Sequence, residues 1–560
     1  MDDTSASSVT QGSCYVRSIK AFKRKNKSNP KENRGGDDDE IISNRESKHQ
    51  RILSLVNSEE DKLRMLNLIN NEEDKLLSIL DADLLLHVLS FLPTMEAIRT
   101  CILSKRWKSL WTCIPSLSFS LCGTPFKTVY EFVSFVDKTL TLNRCSKIFK
   151  FQLDFQGFCH GQKLYLDEEV LDRWTLFATK LEVEELSLLL YEFLEDCNLN
   201  YNYALPSHIF ECSTLTKLYL SHCNIVPHPV ITWTMLKSLS INKTKLSDDV
   251  IWKVMSGSPA LEVLEIHRCI GLSRIDISSG SLRKLVIEEN WIRNSINDDA
   301  INLAYGGLEI FAPNIKELEI LGFFMRKCQL LDVSSLVEAH LVFQLANDTA
   351  AYYRDSQIML RDLLSGVRLV KKLTLGSWCF QIVTKFLKVN CLHSPLSECK
   401  NLTLKVRIRA RKLLGMATLL HNFPHLEALT IDVSSCFCTE DFFQPYIVEE
   451  EKIIPWASKD LEKILNSLVL HDLKIVKIVG SRMCNQRQIL SLAEFLLRNS
   501  RVLEKMVFLV SKKVCYTASN KNGNCKWVSS GYDVEGLRKI SHKLHSFPRS
   551  SPHVNIMVSW

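Results

Sequence analysis

The chain has 560 residues, room for several domains or one solenoid, and its 46% hydrophobic and 24% charged content is that of a folded protein. The net charge of +7 is confined: residues 17–34 hold eight Lys/Arg and one acid, so the remainder sums to about zero and lacks the excess positive charge that nucleic acid requires. The 19 cysteines are scattered without a C-x-x-C pair, Cys436 and Cys438 being the closest two, which argues against zinc and against a disulfide framework.

The first 50 residues have almost no large apolar side chains, so they are expected to be disordered. Their KRKNK run reads as a nuclear address or as a solvated tail. The opening MDDTSASS has no signal-peptide pattern, so the thiols are expected to be reduced, in nucleus and/or cytoplasm. On that reading the sequons at Asn242 and Asn401 are unused. No run of 18 apolar residues occurs, so no membrane span is expected. Residues 51–80 contain a duplication, NSEEDKL at Asn57 and NNEEDKL at Asn70. This stretch reads as a helical leader or a linker, and 1–71 as a charged tail and leader.

Residues 72–120 pack three short helix signals and two tryptophans, Trp107 and Trp111, into a length too small for a large core. Leu84, Leu85, Val88, Leu89 and Leu92 fall on one helical stripe. Asp81 or Asp83 caps it, and Pro93 ends it. Ala97, Ile98, Cys101 and Ile102 make a second stripe after Thr94. Ser104 caps a third helix, Lys105–Trp111. The surplus apolar surface must be covered by a partner, or by the rest of the chain if this is an ordinary helical subdomain.

From about 145 to 460 the pattern changes. Strict Leu-x-x-Leu-x-Leu/Ile starts at Leu215, Leu236, Leu261 and Leu282, at intervals of 21, 25 and 21 residues, the range of leucine-rich repeats. It returns at Leu426 and Leu465. Looser copies lie at Ile148–Leu153, Val183–Leu188, Ile315–Ile320, Leu336–Leu341, Val370–Leu375, Leu473–Ile478 and Leu503–Phe508. Five residues after the middle leucine stand Cys223, Thr244, Cys269, Asn290 and Ser434, small polar side chains suited to satisfying buried backbone groups at a strand end. Stacked units of this kind extend one core. An α/β domain with leucine-rich strands is the other reading.

Between 465 and 560, LKIVKIVG and LEKMVFLV read as strands and Gln488–Leu497 as a helix, followed by the F-P-R-x-S-P run of Leu544–Val558. In this order, the segments resemble a plant F-box/FBD/leucine-rich-repeat protein. The resemblance implies an α/β fold: a short three-helix F-box, an irregular leucine-rich-repeat solenoid, and a C-terminal FBD α+β region. It implies a non-catalytic substrate receptor of an SCF-type (Skp–cullin–F-box) ubiquitin ligase. The partners would be a Skp-family adaptor, through it a cullin, and a target protein of unknown identity. The family's adaptor-contacting residues fall at Leu80, Leu84, Leu85, Val88, Leu89, Leu92, Pro93 and Trp107. Asp81 stands where the family usually has proline, and Ser481–Arg487 departs from its glycine-containing turn.

No nucleotide-loop, zincin or nucleophile-elbow motif occurs, so no cofactor, no metal and no catalytic residue are expected. Period-two alternation turns Tyr219, Ser240, Glu265 and Val286 to the concave face, with Ser221, Asn242, His267 and Glu288 one row further along. Tyr219, Asn242, Glu265, His267 and Glu288 are the expected substrate-binding residues. His267 could also serve as a ligand or base. Three classes stay open: a ligase substrate receptor, a leucine-rich-repeat scaffold that engages no adaptor, and a small-molecule receptor. The last would want clustered basic residues, whereas Lys217 and Lys237 are isolated.

Overall fold

Among the described residues fifteen strands form one sheet, parallel throughout and in chain order. They are β1 (Ser116–Ser120), β2 (Lys150–Asp154), β3 (Glu185–Leu189), β4 (Lys217–Ser221) and β5 (Ser238–Asn242). Next come β6 (Val263–His267), β7 (Lys284–Asn290), β8 (Glu317–Phe324), β9 (Glu338–Leu345) and β10 (Lys372–Gly376). The last are β11 (Asn401–Lys405), β12 (Ala428–Asp432), β13 (Ile475–Gly480), β14 (Lys505–Val510) and β15 (Asn555–Ser559). The computed structural model describes residues 81–103, 107–121, 126, 128–155, 167–190, 203–226, 230–290, 307–324, 327–345, 350–379, 382, 396–406, 410–433, 469–480, 486–510, 515–518, 525–528 and 534–559. Ala82–Trp560 forms one unit. The expected tail, leader and repeated NSEEDKL motif lie outside the described residues, as do Leu80, Ser104 and Ser434.

Each repeat buries its leucines on one side of the sheet. Leu218, Leu239, Leu264 and Leu285 are fully buried, as are Leu215, Leu236, Leu261 and Leu282 just before the strands. One apolar core runs unbroken from Leu117 to Ile556. Helices such as Val129–Leu142, Glu168–Lys180, Asp248–Gly257 and Gln486–Asn499 return the chain between strands. Thr128, Asp167 and Ser247 cap the first three by accepting from backbone N–H groups. Buried tryptophans keep their indole N–H bonded: Trp174 to Asp137 Oδ1 at 2.7 Å, Trp233 to the Ile209 carbonyl at 2.8 Å, Trp378 to that of Leu341 at 3.1 Å.

Cys223, Thr244 and Cys269 of the small polar series behave as their chemistry requires. After β4, β5 and β6 the chain turns through a left-handed residue, His222 (φ 57°), Lys243 (φ 50°) and Arg268 (φ 54°). Such a conformation costs roughly 1–2 kcal/mol per non-glycine residue. The cost is offset because each N–H then reaches the next strand, at the carbonyls of Asn242, His267 and Glu288. The following side chain turns inward. Thr244 Oγ1 donates to the Cys223 carbonyl at 2.9 Å, and Cys269 Sγ to the Ile241 carbonyl at 3.6 Å.

Three strands escape the leucine pattern. β1 and β11 begin from Ile114 and Cys399, both buried where the motif has leucine, and β15 has His553 at that position. At the other end, β13, β14 and β15 extend the same sheet, so the C-terminal region continues the solenoid across the expected boundary near 460–465.

Candidate functional site

Three short helices precede the sheet: α1 (Ala82–Leu89), α2 (Thr94–Arg99) and α3 (Trp107–Leu110), with 3-10 turns at Thr100–Ile102 and Trp111–Cys113. Leu85, Leu89, Ala97 and Trp107 are buried, giving the module a small core of its own. The stripe on α1 is therefore split. Leu84, Val88 and Leu92 are half-buried and Pro93 is exposed, whereas Leu85 and Leu89 point inward and offer no surface to a partner. Trp107 likewise holds the module together from within. Ile102 is a second departure: the 3-10 turn after α2 tightens the helix and leaves Ile102 85% exposed, beside exposed Leu103. Phe91 is also exposed. The sequence stripe placed Ile102 on the helix face but could not reveal the change of pitch that exposes it, and Phe91 and Leu103 belong to neither stripe.

The concave face carries the second site. The two expected rows are aligned by the sheet register: Tyr219, Ser240, Glu265 and Val286 in one, Ser221, Asn242, His267 and Glu288 in the other. Tyr219 is 37% exposed, and Asn242, Glu265, His267 and Glu288 are half-buried. Ser221, Ser240 and Val286, expected to face solvent, are instead buried. Their short side chains lie beneath longer neighbours. Ser240 sits under Glu265, Ser221 bonds His222 and Asn242, and Val286 lies between Glu265 and Glu319.

His267 organises this face. Its Nδ1 lies 2.9 Å from Glu288 Oε2 and its Nε2 3.5 Å from Glu265 Oε2. Hydrogen bonds to Glu265 and Glu288 raise its pKa to about 9. His267 in turn holds both carboxyls below their ordinary range. His267 thus bridges the two carboxylates, with both ring nitrogens engaged. Arg268 Nη2 donates to Glu288 Oε1 at 3.0 Å. Two carboxylates thus face two cations, and the patch offers hydrogen bonds with little net charge. Lys217, far from being a free cation, pairs with Glu185 at 2.7 Å.

Glu317, Glu319 and His340 place ligand-type atoms within 4.8 Å of one another. Lys284 Nζ already donates to Glu317 Oε1 at 2.7 Å and also to Glu319, so an ammonium occupies the place a cation would take. Among the described residues no helix is long and apolar enough to cross a membrane.

Comparison with known proteins matches these pieces in order. An F-box domain model matches residues 77–118. The model for the leucine-rich repeats of the FBD-associated F-box protein At5g56370 matches 171–339, and an FBD model 468–508. The chain is 29% identical to the F-box/LRR-repeat protein At5g02910 of Arabidopsis thaliana over 78% of its own length and 88% of that relative. It is 30% identical to the F-box protein At5g03100 of the same plant, over 55% of its own length and 91% of that relative. Identity to the F-box/FBD/LRR-repeat protein At1g78750, also from Arabidopsis, is 26% over 63% and 76%. A three-helix F-box set against the first strand of a leucine-rich-repeat sheet defines an F-box receptor, a class built to bind rather than to catalyse. Within that class, the chain belongs to the F-box/FBD/leucine-rich-repeat family.

Proposed function

We propose that this chain is the substrate-recognition subunit of an SCF-type E3 ubiquitin ligase. Its F-box docks a Skp-family adaptor, and through it a cullin. Its repeats hold the target protein for ubiquitination. The observation that carries the adaptor half is the exposed apolar set of Phe91, Ile102 and Leu103, with half-buried Leu84, Val88 and Leu92, on a module whose own core is already complete. The target half rests on the Tyr219, Asn242, Glu265, His267 and Glu288 patch. Its mixed polarity and one aromatic anchor suit a protein surface. The KRKNK run supports action in the nucleus and/or cytoplasm.

Co-precipitation of the full chain with a Skp-family adaptor and a cullin tests this. The Leu84→Glu/Ile102→Glu double variant should lose both while keeping its melting temperature. If it retains both, the adaptor face is wrong. If the unaltered chain captures neither, it is a binding scaffold without ligase assembly.

A further inference from the structure

The charges of the sheet are not evenly mixed. In β6–β9 and the residue before each strand, seven carboxylates stand against three Lys/Arg and His267. In β10–β14 and the residue before each, the balance inverts, with seven lysines against Glu427, Asp432 and Glu504. The near-zero net charge outside the basic tail conceals this division.

The two stretches also use their charges differently. Five carboxylates of the first are engaged on the face itself: Glu265 and Glu288 with His267, Glu317 and Glu319 with Lys284, and Glu338 with His340 and Lys372. In the second, one carboxylate serves two cations, Glu427 taking Lys400 at 2.8 Å and Lys474 at 3.3 Å. Lys371, Lys405, Lys477 and Lys505 have no ion pair among the described residues.

Three of these lysines lie on the concave face, since Lys405, Lys477 and Lys505 alternate with buried Leu404, Val476 and Met506. The pairings Lys405↔Asp432, Thr430↔Lys477 and Ile475↔Lys505 set them on one diagonal. With strands about 4.8 Å apart and a rise of about 3.3 Å per residue, Lys405 is about 12 Å from Lys477, and Lys477 about 8 Å from Lys505, between Cα atoms. The diagonal is the reach of about six residues of extended chain. Thr374, Thr403 and Thr430 pair in register beside it, a floor of short side chains. Exposed Ile475 stands next to Lys505, and half-buried Val507 next to Lys477. Apolar surface that sheds its water around a lysine–carboxylate contact lowers the local dielectric and strengthens the contact. All cations of this stretch are lysines, point charges suited to separately spaced carboxylates, without an arginine fork for a planar group.

We propose that this diagonal reads an acidic segment of the target protein, about six extended residues long. Its carboxylates meet Lys405, Lys477 and Lys505, and its apolar side chains lie on Ile475 and Val507. Within the reading that the repeats hold the target, on which this inference rests, the diagonal supplies charge selectivity and the neutral patch around Tyr219 supplies contact area.

The test is fluorescence anisotropy of a labelled peptide, Glu-Leu-Ser-Gly-Glu-Val-Glu, titrated with the full chain up to about 100 µM at about 50 mM salt. The peptide should bind saturably, and its analogue with glutamine for every glutamate at least tenfold more weakly. Lys405→Glu, Lys477→Glu and Lys505→Glu should each weaken binding by about threefold or more, and raising the salt to about 0.5 M should remove most of it. Lys237→Glu, which reverses an exposed cation before β5, should leave it unchanged. All four side chains are at the surface, so melting temperature and adaptor capture should match the parent. Equal binding of the two peptides overturns the inference, as does an effect of Lys237→Glu equal to that of Lys477→Glu, which would show a diffuse field rather than a site. Binding that emerges only when Glu449, Glu450 and Glu451 are changed together to Gln would make this chain's own acidic run the occupant and overturn the target in that role. A chain that binds the peptide through these lysines yet captures no adaptor supports the inference and overturns only the ligase reading.

Discussion

Thr94 Oγ1 and Ser118 N, 24 residues apart in the chain, share a hydrogen bond of 2.7 Å that ties α2 to the edge of β1. Thr94 is buried, so the bond is shielded from water. Through it the F-box serves as the cap of the sheet as well as an attachment point, and its orientation to the concave face is set by packing rather than by a linker.

Thr94→Val keeps the shape and removes the acceptor. The stranded Ser118 N–H should cost about 1–3 kcal/mol. A lower melting temperature with faster amide exchange at Ser118 is the expected result. Unchanged exchange would show that the F-box is held elsewhere.

Leu85 on α1 and Ile102 in the 3-10 turn after α2 should behave oppositely. Leu85→Ala opens a cavity in the module's small core and should destabilise it by about 2–5 kcal/mol. Ile102→Glu changes a fully solvated position and should leave thermal unfolding unaltered, yet abolish adaptor capture. Melting curves and adaptor co-precipitation on both variants separate the two roles.

His267 gives the concave face a pH signature. Its pKa rises from 6.5 in the unfolded chain to about 9 in the fold. Its stabilisation is therefore fully present below pH 6.5 and lost as pH climbs through 9. After allowance for solvent screening, the contribution is about 1–2 kcal/mol. The stability gap between parent and His267→Gln, from urea titrations, should be widest near pH 6 and close by pH 10. A gap independent of pH would mean that the Glu265–His267–Glu288 contacts are not ionic.

Gly322 lies within β8 at φ +92°, where a Cβ would run into the Glu289 carbonyl oxygen. Because that neighbour is backbone, it cannot rotate away. Gly322→Ala should cost about 1–3 kcal/mol from backbone conformation alone, with a further loss from the clash. Calorimetric unfolding measures it, and a neutral result would place Gly322 in another conformation.

Much of the solenoid was legible as period-two leucines at near-constant spacing. Cys223, Thr244 and Cys269 were readable because few side chains can serve a buried strand end. β11 was not, since Cys399 fills a leucine position with a smaller group that buries equally well. Nor was the depth of Ser221 and Ser240. Alternation says which side a residue faces, but the length of its neighbours decides whether water reaches it.

By itself the sequence determined the order of modules, the residues of the core and the rows that share a face, because all three follow from local periodicity repeated along the chain. Only the tertiary structure decided which leucine of the Leu84–Leu85 pair points inward, how Thr94 seals β1, and that the C-terminal strands continue the sheet. Those outcomes depend on how α2, the strand ends and the returning helices meet in space, and no stretch of sequence a few residues long contains both partners of such a contact.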